Sequence, residues 1–211
     1  MKHFISRLLP VPLLGKYKEK KATKQYSKWV EAGSPIPPCH AVKKMIIKSY
    51  QQKYDYEILI ETGTYQGDMI ISLYNNFREI HSIELADYYY QKALKRFRKY
   101  PKVHLHKGDS SKVMKDVINE INKPVIFWLD GHYSGGLTAK GDSECPIWGE
   151  LEAILLTNIP HIILIDDARC FDGKGDYPTI DAIKEYLFEK ANVDFFEAKD
   201  DIIQVVLKIQ A

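Results

Sequence analysis

"FWLDGHYSGG", residues 127–136, is an apolar run that halts at Asp130 and continues with Gly131, His132 and a cluster of small residues. The run has the length and bulk of a buried strand, and the acid stands at its carboxyl end. Four other segments repeat the design. "EILIE", "EIHSIEL", "KVHLH" and "HIILIDD" are short and β-rich like "PVIFWLD", and stretches such as "QKALKRFRKY" and "SKVMKDVINEI" with helical spacing separate them. Strands that alternate with helices predict a parallel sheet covered on both faces. Near the end of the chain, "VDFFEAK" and "DIIQVVLKI" lie too close together for a crossover helix and are expected to pair antiparallel at the sheet edge.

Before Glu57 the pattern is helical. Ala22, Tyr26, Trp29 and Val30 recur at helical spacing, Gly33 and "SPIPP" interrupt, and Val42, Met45, Ile46 and Tyr50 resume. The expected organisation is an N-terminal helical extension over 1–54 followed by an α/β domain over 55–211.

Parallel sheets of this kind bind ligands beyond the carboxyl ends of their strands, near the point where strand order reverses. Each of the five strands delivers an acid there: Glu61, Glu84, Asp109, Asp130, and the pair Asp166 and Asp167. An acid at a strand-to-helix junction can simply cap a helix, and for Asp109 that reading stands level with a binding role. Glu61 and Glu84 are poor caps, however. Asp166 and Asp167 place like charges side by side, which is easier to sustain where cations collect.

The first junction, "ETGTYQGD", carries Gly63 and Gly67 but no G-x-G-x-x-G, and it opens with Glu61, which would repel a dinucleotide pyrophosphate. An acid there favours a nucleoside with a cationic tail, such as S-adenosylmethionine (SAM). Glu84, ending the second strand, is placed to accept hydrogen bonds from ribose hydroxyls.

On these segments the chain resembles the class I SAM-dependent methyltransferases over about residues 57 to 209: "ETGTYQG" is similar to their glycine-rich first motif, "SIEL" to the ribose-binding acid and "GDS" to the segment beside the adenine. The resemblance implies a Rossmann-like fold, a seven-stranded, mostly parallel sheet with an antiparallel last strand. It also implies that Glu61, Gly63, Thr64 and Gly67 surround the amino acid part of the cofactor, Glu84 the ribose, and Asp109 with Ser110 the adenine.

"FWLDGH" and "LIDDAR" further resemble the metal-dependent O-methyltransferases of the catechol and macrocin types, in which one acid follows strand four and an acidic pair strand five. Carried over, Asp130, Asp166 and Asp167 are the ligands of a divalent cation. Three carboxylates make a hard oxygen site suited to Mg²⁺, with Mn²⁺ or Ca²⁺ as alternatives. Asp130 borders both cofactor and metal, and His132 is the candidate base for an acceptor hydroxyl. The macrocin pattern has an acid two residues after its first aspartate, and this chain has His132. The implied activity is SAM-dependent methylation of a hydroxyl on a sugar or other small polyhydroxylated metabolite. A non-catalytic nucleoside-binding module of the same fold and, less favoured, a nicotinamide-dependent oxidoreductase are the alternatives.

Composition narrows the partners. A formal net charge of +2 and the lack of zinc-finger spacing or an RNA-binding aromatic signature argue against nucleic acid. Cys39, Cys145 and Cys170 are odd in number and never paired as C-x-x-C, which suits a reducing, cytoplasmic setting. No apolar run is long enough to span a bilayer. The lysines from Lys16 to Lys28 read as a solvated helix face, with weak contact to an anionic membrane surface as the alternative. The helical extension lies where the resembling family keeps substrate-binding or dimer-forming helices, so a homodimer is compatible with it. The loop "HYSGGLTAKGDSECPIW" exceeds what a β-α connection needs and is expected to cover the acceptor, with Tyr133, Ser134 and Lys140 as contacts. Trp148, Leu151, Ile154 and Leu155 read as the packed face of the following helix, and Arg169 as a partner of Asp166 or Asp167 or of an anionic substrate. The adjacent Cys39 and His40 are not expected to form a catalytic dyad.

Overall fold

The computed structural model describes residues 10–131 and 145–209. Five parallel strands, β1 (Ile58–Thr62), β2 (Glu79–Glu84), β3 (Val103–Lys107), β4 (Val125–Leu129) and β5 (Ile162–Ile165), are followed by β6 (Asn192–Lys199) and β7 (Ile202–Lys208). The sheet order is β3-β2-β1-β4-β5-β7-β6, and β7 runs antiparallel to both of its neighbours. The final pair is antiparallel, as the short connection dictates, but β7 inserts beside β5 and leaves β6 on the edge. Burial explains the choice: β7 ("IIQVVLK") is apolar on both faces and buried almost throughout, whereas β6 is mostly exposed.

β1, β4 and β5 are buried on both sides. One face packs on α5 (Ser110–Asn119), α6 (Ile147–Leu155) and α7 (Ile180–Lys190), through Ile60, Phe127, Met114, Leu151 and Ile183. The other packs on α1 (Val11–Glu31), α2 (His40–Tyr54), α3 (Asp68–Leu73) and α4 (Asp87–Phe97), through Leu14, Ile47, Ile70, Phe97 and Trp128. Strand order reverses between β1 and β4, so the connections after these strands diverge to opposite faces and open a crevice.

The helical extension therefore shares the core of the sheet. α1 begins at Val11, ahead of the recurring pattern at Ala22, because Pro12 sits in its first turn, where no backbone N–H is needed. Ala22 and Trp29 face inward, whereas Val30 is exposed. α2 descends antiparallel to β5. Its N-terminal turn stands at the carboxyl rim, where Lys43 meets Asp166, while Tyr50 Oη donates to Gln204 Oε1 at 3.0 Å further down and Tyr56 Oη reaches the Pro160 carbonyl at 2.6 Å near the start of β5. In α6, Leu151 and Ile154 are fully buried as expected, but Trp148 is not part of that face. It is 39% exposed and meets Tyr186 edge-on at 5.2 Å. Burial pushes the imidazole of His106 down to about 4 and that of His81 downward as well. Among the described residues no helix is long and apolar enough to cross a membrane.

Candidate cofactor and metal site

At the end of β1, Glu61 is 2% exposed. Its Oε1 accepts a hydrogen bond from Ser82 Oγ at 2.7 Å, and Ser82 Oγ is in turn bonded to Thr64 Oγ1, so a buried chain of hydroxyls supports the carboxyl group. Burial pushes Glu61 up to about 8, offset in part by Ser82 and reinforced by Asp130 and Glu84. The turn that follows depends on Gly63, whose φ of +82° is open to glycine and whose Cβ position is blocked by the Asp130 carbonyl oxygen. Gly67, at φ +70°, leaves no room for a side chain against Phe97. Thr62 Oγ1 accepts from the Asp130 N–H at 3.1 Å and packs where a side chain on Gly131 would go. The ends of β1 and β4 are thus pressed together.

Glu84 ends β2 with both oxygens engaged: Oε2 accepts from the Tyr65 N–H and Oε1 from the Ala86 N–H, each at 2.7 Å. Each oxygen keeps a second lone pair for a hydroxyl. Asp109 is the N-cap of α5, accepting from Ser111 N at 3.0 Å and Ser111 Oγ at 2.7 Å. The capping reading of Asp109 therefore describes its contacts. Ser110 Oγ donates to the buried Glu150 of α6 at 2.6 Å.

Asp130, Asp166 and Asp167 converge at the ends of β4 and β5, with one carboxylate oxygen from each lying within 4.8 Å of the others. Asp166 is fully buried and its Oδ1 accepts from the Asp167 N–H at 2.8 Å. The cation that the acid pair calls for comes from the chain itself. Lys43, in the first turn of α2, places its ammonium on Asp166 Oδ2 in a very short contact and 3.3 Å from Asp167 Oδ1. Arg169 donates to Asp167 Oδ1 at 2.9 Å and also binds the buried Asp201. Burial pulls the Asp166 carboxyl upward and Lys43 opposes it, while the carboxylates hold the Lys43 ammonium above its ordinary value.

On donor chemistry and spacing the three carboxylates fit a hard divalent cation, and Lys43 competes for the same oxygens. The sequence pattern gave no sign of Lys43, because nothing local ties a residue of α2 to strand ends more than a hundred positions away. Ser82, mid-strand, was missed for the same reason. His132, together with Tyr133, Ser134 and Lys140, lies outside the described residues. Cys39 is exposed ahead of α2, and His40 Nε2 is 3.5 Å from Ser72 Oγ.

No protein-family model matches the chain, and no curated protein matches it. Its similarity is to solved structures. The SAH-bound methyltransferase PaMTH1 of Podospora anserina aligns with a TM-score of 0.58 at 16% identity, over 91% of this chain and 87% of that one. The O-methyltransferase TomG of Streptomyces achromogenes, involved in tomaymycin synthesis and solved with SAM, gives 0.57 at 15% identity over 90% and 89%. An O-methyltransferase of Bacillus cereus in complex with SAH gives 0.57 at 14% identity over 90% and 91%. The fold is the Rossmann-like fold of the class I methyltransferases.

Proposed function

We propose that this chain is a SAM-dependent O-methyltransferase that methylates a hydroxyl of a sugar or another small polyhydroxylated metabolite with the help of a divalent cation. One observation carries the reading: a buried acid with no cation bonded to it among the described residues, Glu61, stands one strand away from a converging carboxylate triad. Glu61 takes the ammonium of the methionine moiety, in the turn formed by Gly63, Thr64 and Gly67. Glu84 receives the ribose hydroxyls on its spare lone pairs, and Asp109 and Ser110 border the adenine. Asp130, Asp166 and Asp167 hold Mg²⁺, or Mn²⁺ or Ca²⁺, which when bound orients a hydroxyl and lowers its pKa. His132 accepts the hydroxyl proton as the oxygen attacks the methyl carbon; the C–O bond forms, the C–S bond breaks, and its electron pair leaves on sulfur as SAH. Lys43, which holds Asp166 and Asp167, would give up these oxygens to a bound divalent ion.

Lys43 also favours a second reading, a nucleoside-binding module of the same fold whose triad is permanently neutralised. Calorimetry with SAM, SAH and NAD, each with Mg²⁺ or EDTA, combined with SAH release from a panel of polyhydroxylated acceptors, separates the two. Metal-dependent SAH release supports the enzyme. SAM binding without Mg²⁺ binding or turnover favours the module, and binding of NAD alone overturns both.

A further inference from the structure

The β3 edge of the sheet carries a second concentration of ligating side chains, apart from the rim. β2 and β3 run parallel with His81 directly opposite His104. Val103 and Leu105 pack toward α4's side of the sheet, while Ile83 packs with Met114 of α5. Alternation therefore puts Glu79 and His81 of β2, and His104 and His106 of β3, together on α5's side.

The four groups form one contiguous cluster. Glu79 Oε1 lies 2.8 Å from His81 Nε2 and 3.8 Å from His104 Nε2. The His81 and His104 rings stack with centroids 4.7 Å apart, and His81 Nδ1 is 3.0 Å from His106 Nε2. Two donors bound tetrahedrally at about 2.0–2.2 Å from one metal ion stand roughly 3.3–3.5 Å apart, and the observed spacings fall on either side of that value.

We propose that Glu79, His81 and His104 form a binding site for a Zn²⁺-class transition metal ion, with His106 as the positioning residue for His81 and a fourth position open to water. Two imidazoles and one carboxylate select Zn²⁺, Co²⁺, Ni²⁺ or Cu²⁺, whereas the all-carboxylate triad at the rim selects Mg²⁺ or Ca²⁺. The ion approaches from solvent, since the His104 and Glu79 side chains are 43% and 40% exposed while His81 forms the buried floor at 6%.

The hydrogen bonds are arranged for this exchange. Without metal, His81 Nε2–H donates to Glu79, so Nδ1 accepts from His106 Nε2–H. With metal, the His81 Nε2 lone pair is the ligand; His81 then carries its proton on Nδ1 and donates to His106 Nε2, while His106 carries its own proton on Nδ1. Both rings stay neutral, and His106 fixes the tautomer, as ligand-orienting partners do in other metal sites. Because the ligands come from the edge strand β3 and its neighbour β2, the ion clips β3 to the sheet and stabilises the folded chain in proportion to its occupancy.

The test uses the full chain stripped with EDTA. Zn²⁺ is titrated against a chromophoric chelator and Co²⁺ is followed by its visible absorption. Stoichiometric Zn²⁺ binding, an intense tetrahedral Co²⁺ spectrum and a raised Tm are expected. His104→Ala, at an exposed position, keeps the fold and weakens Zn²⁺ binding by about tenfold or more. His106→Gln weakens it while preserving a tetrahedral spectrum, and Asp130→Asn leaves it unchanged. Absence of stoichiometric binding, equal affinity in His104→Ala, or loss of Zn²⁺ with Asp130→Asn would overturn the assignment.

Discussion

Glu61 and Asp166 are both carboxylates at the C-terminal end of a parallel strand, and both are sealed from solvent, yet their surroundings are opposite. Asp166 has an internal counter-ion, Lys43, and a backbone N–H from Asp167. Among the described residues Glu61 has only a hydroxyl, Ser82 Oγ, and burial pushes it up to about 8. A buried charge is costly unless paired, so the two strand ends solve one problem differently. At β5 the chain supplies the cation. At β1 the carboxyl group stays protonated near neutral pH, and a cation from outside has the most to gain by binding there.

The largest expected effect comes from removing the internal cation. Lys43→Ala strands Asp166 without its partner and should cost about 3–5 kcal/mol of stability in EDTA, read by urea unfolding. Mg²⁺ should recover part of it and bind more tightly than to the parent chain. A loss below about 1 kcal/mol would mean that Lys43 is not what neutralises β5.

Glu61→Gln probes the other side. Losing a charge-assisted contact of about 1.5–3 kcal/mol predicts SAM binding weaker by roughly 10- to 100-fold in calorimetry. SAM binding to the parent chain should release a proton at pH 7 but not well above about 8, and the variant should release none. Stability follows with a definite sign. The folded value lies above the ordinary 4.5, so the protonated form favours the fold; this contribution is full below about 4.5 and is lost as pH rises through about 8. The parent chain should therefore lose stability relative to Glu61→Gln across that window.

Lys44, beside Lys43 on α2, is a buried charge of the third kind, since its Nζ has no hydrogen-bond partner among the described residues. Burial depresses it from 10.5 to about 8, so the penalty is present at neutral pH and is relieved as pH rises from about 8 toward 10.5. Lys44→Met should stabilise the protein by about 1–3 kcal/mol at pH 7, and the gain should shrink at pH 10. The smallest effect is expected at Asp109. Removing this N-cap in Asp109→Ala should cost about 1 kcal/mol, with SAM affinity changed only a few-fold.

The parallel sheet was legible because burial on both faces forces continuous apolar runs, and the acids stood out because they interrupt those runs at a fixed place. The antiparallel final pair followed from the length of its connection. Which of its strands would lie inside was not read, although "IIQVVLK" is visibly the more apolar. Contacts between distant elements were not legible. Lys43 on the triad and Ser82 under Glu61 depend on how helices and strands dock, and Trp148 lies outside the buried face to which Leu151 and Ile154 were correctly assigned. Asp109 was balanced between cap and ligand because both uses put an acid at the same junction, and its bonds to Ser111 show the cap, which is compatible with either use.

Gly63 lies so close to the carbonyl of Asp130 that the two loops have no slack between them. Mechanically they form a single strut, braced by the Asp130 N–H on Thr62 Oγ1. An added methyl group at residue 63 would meet the Asp130 carbonyl and spread the ends of β1 and β4 together.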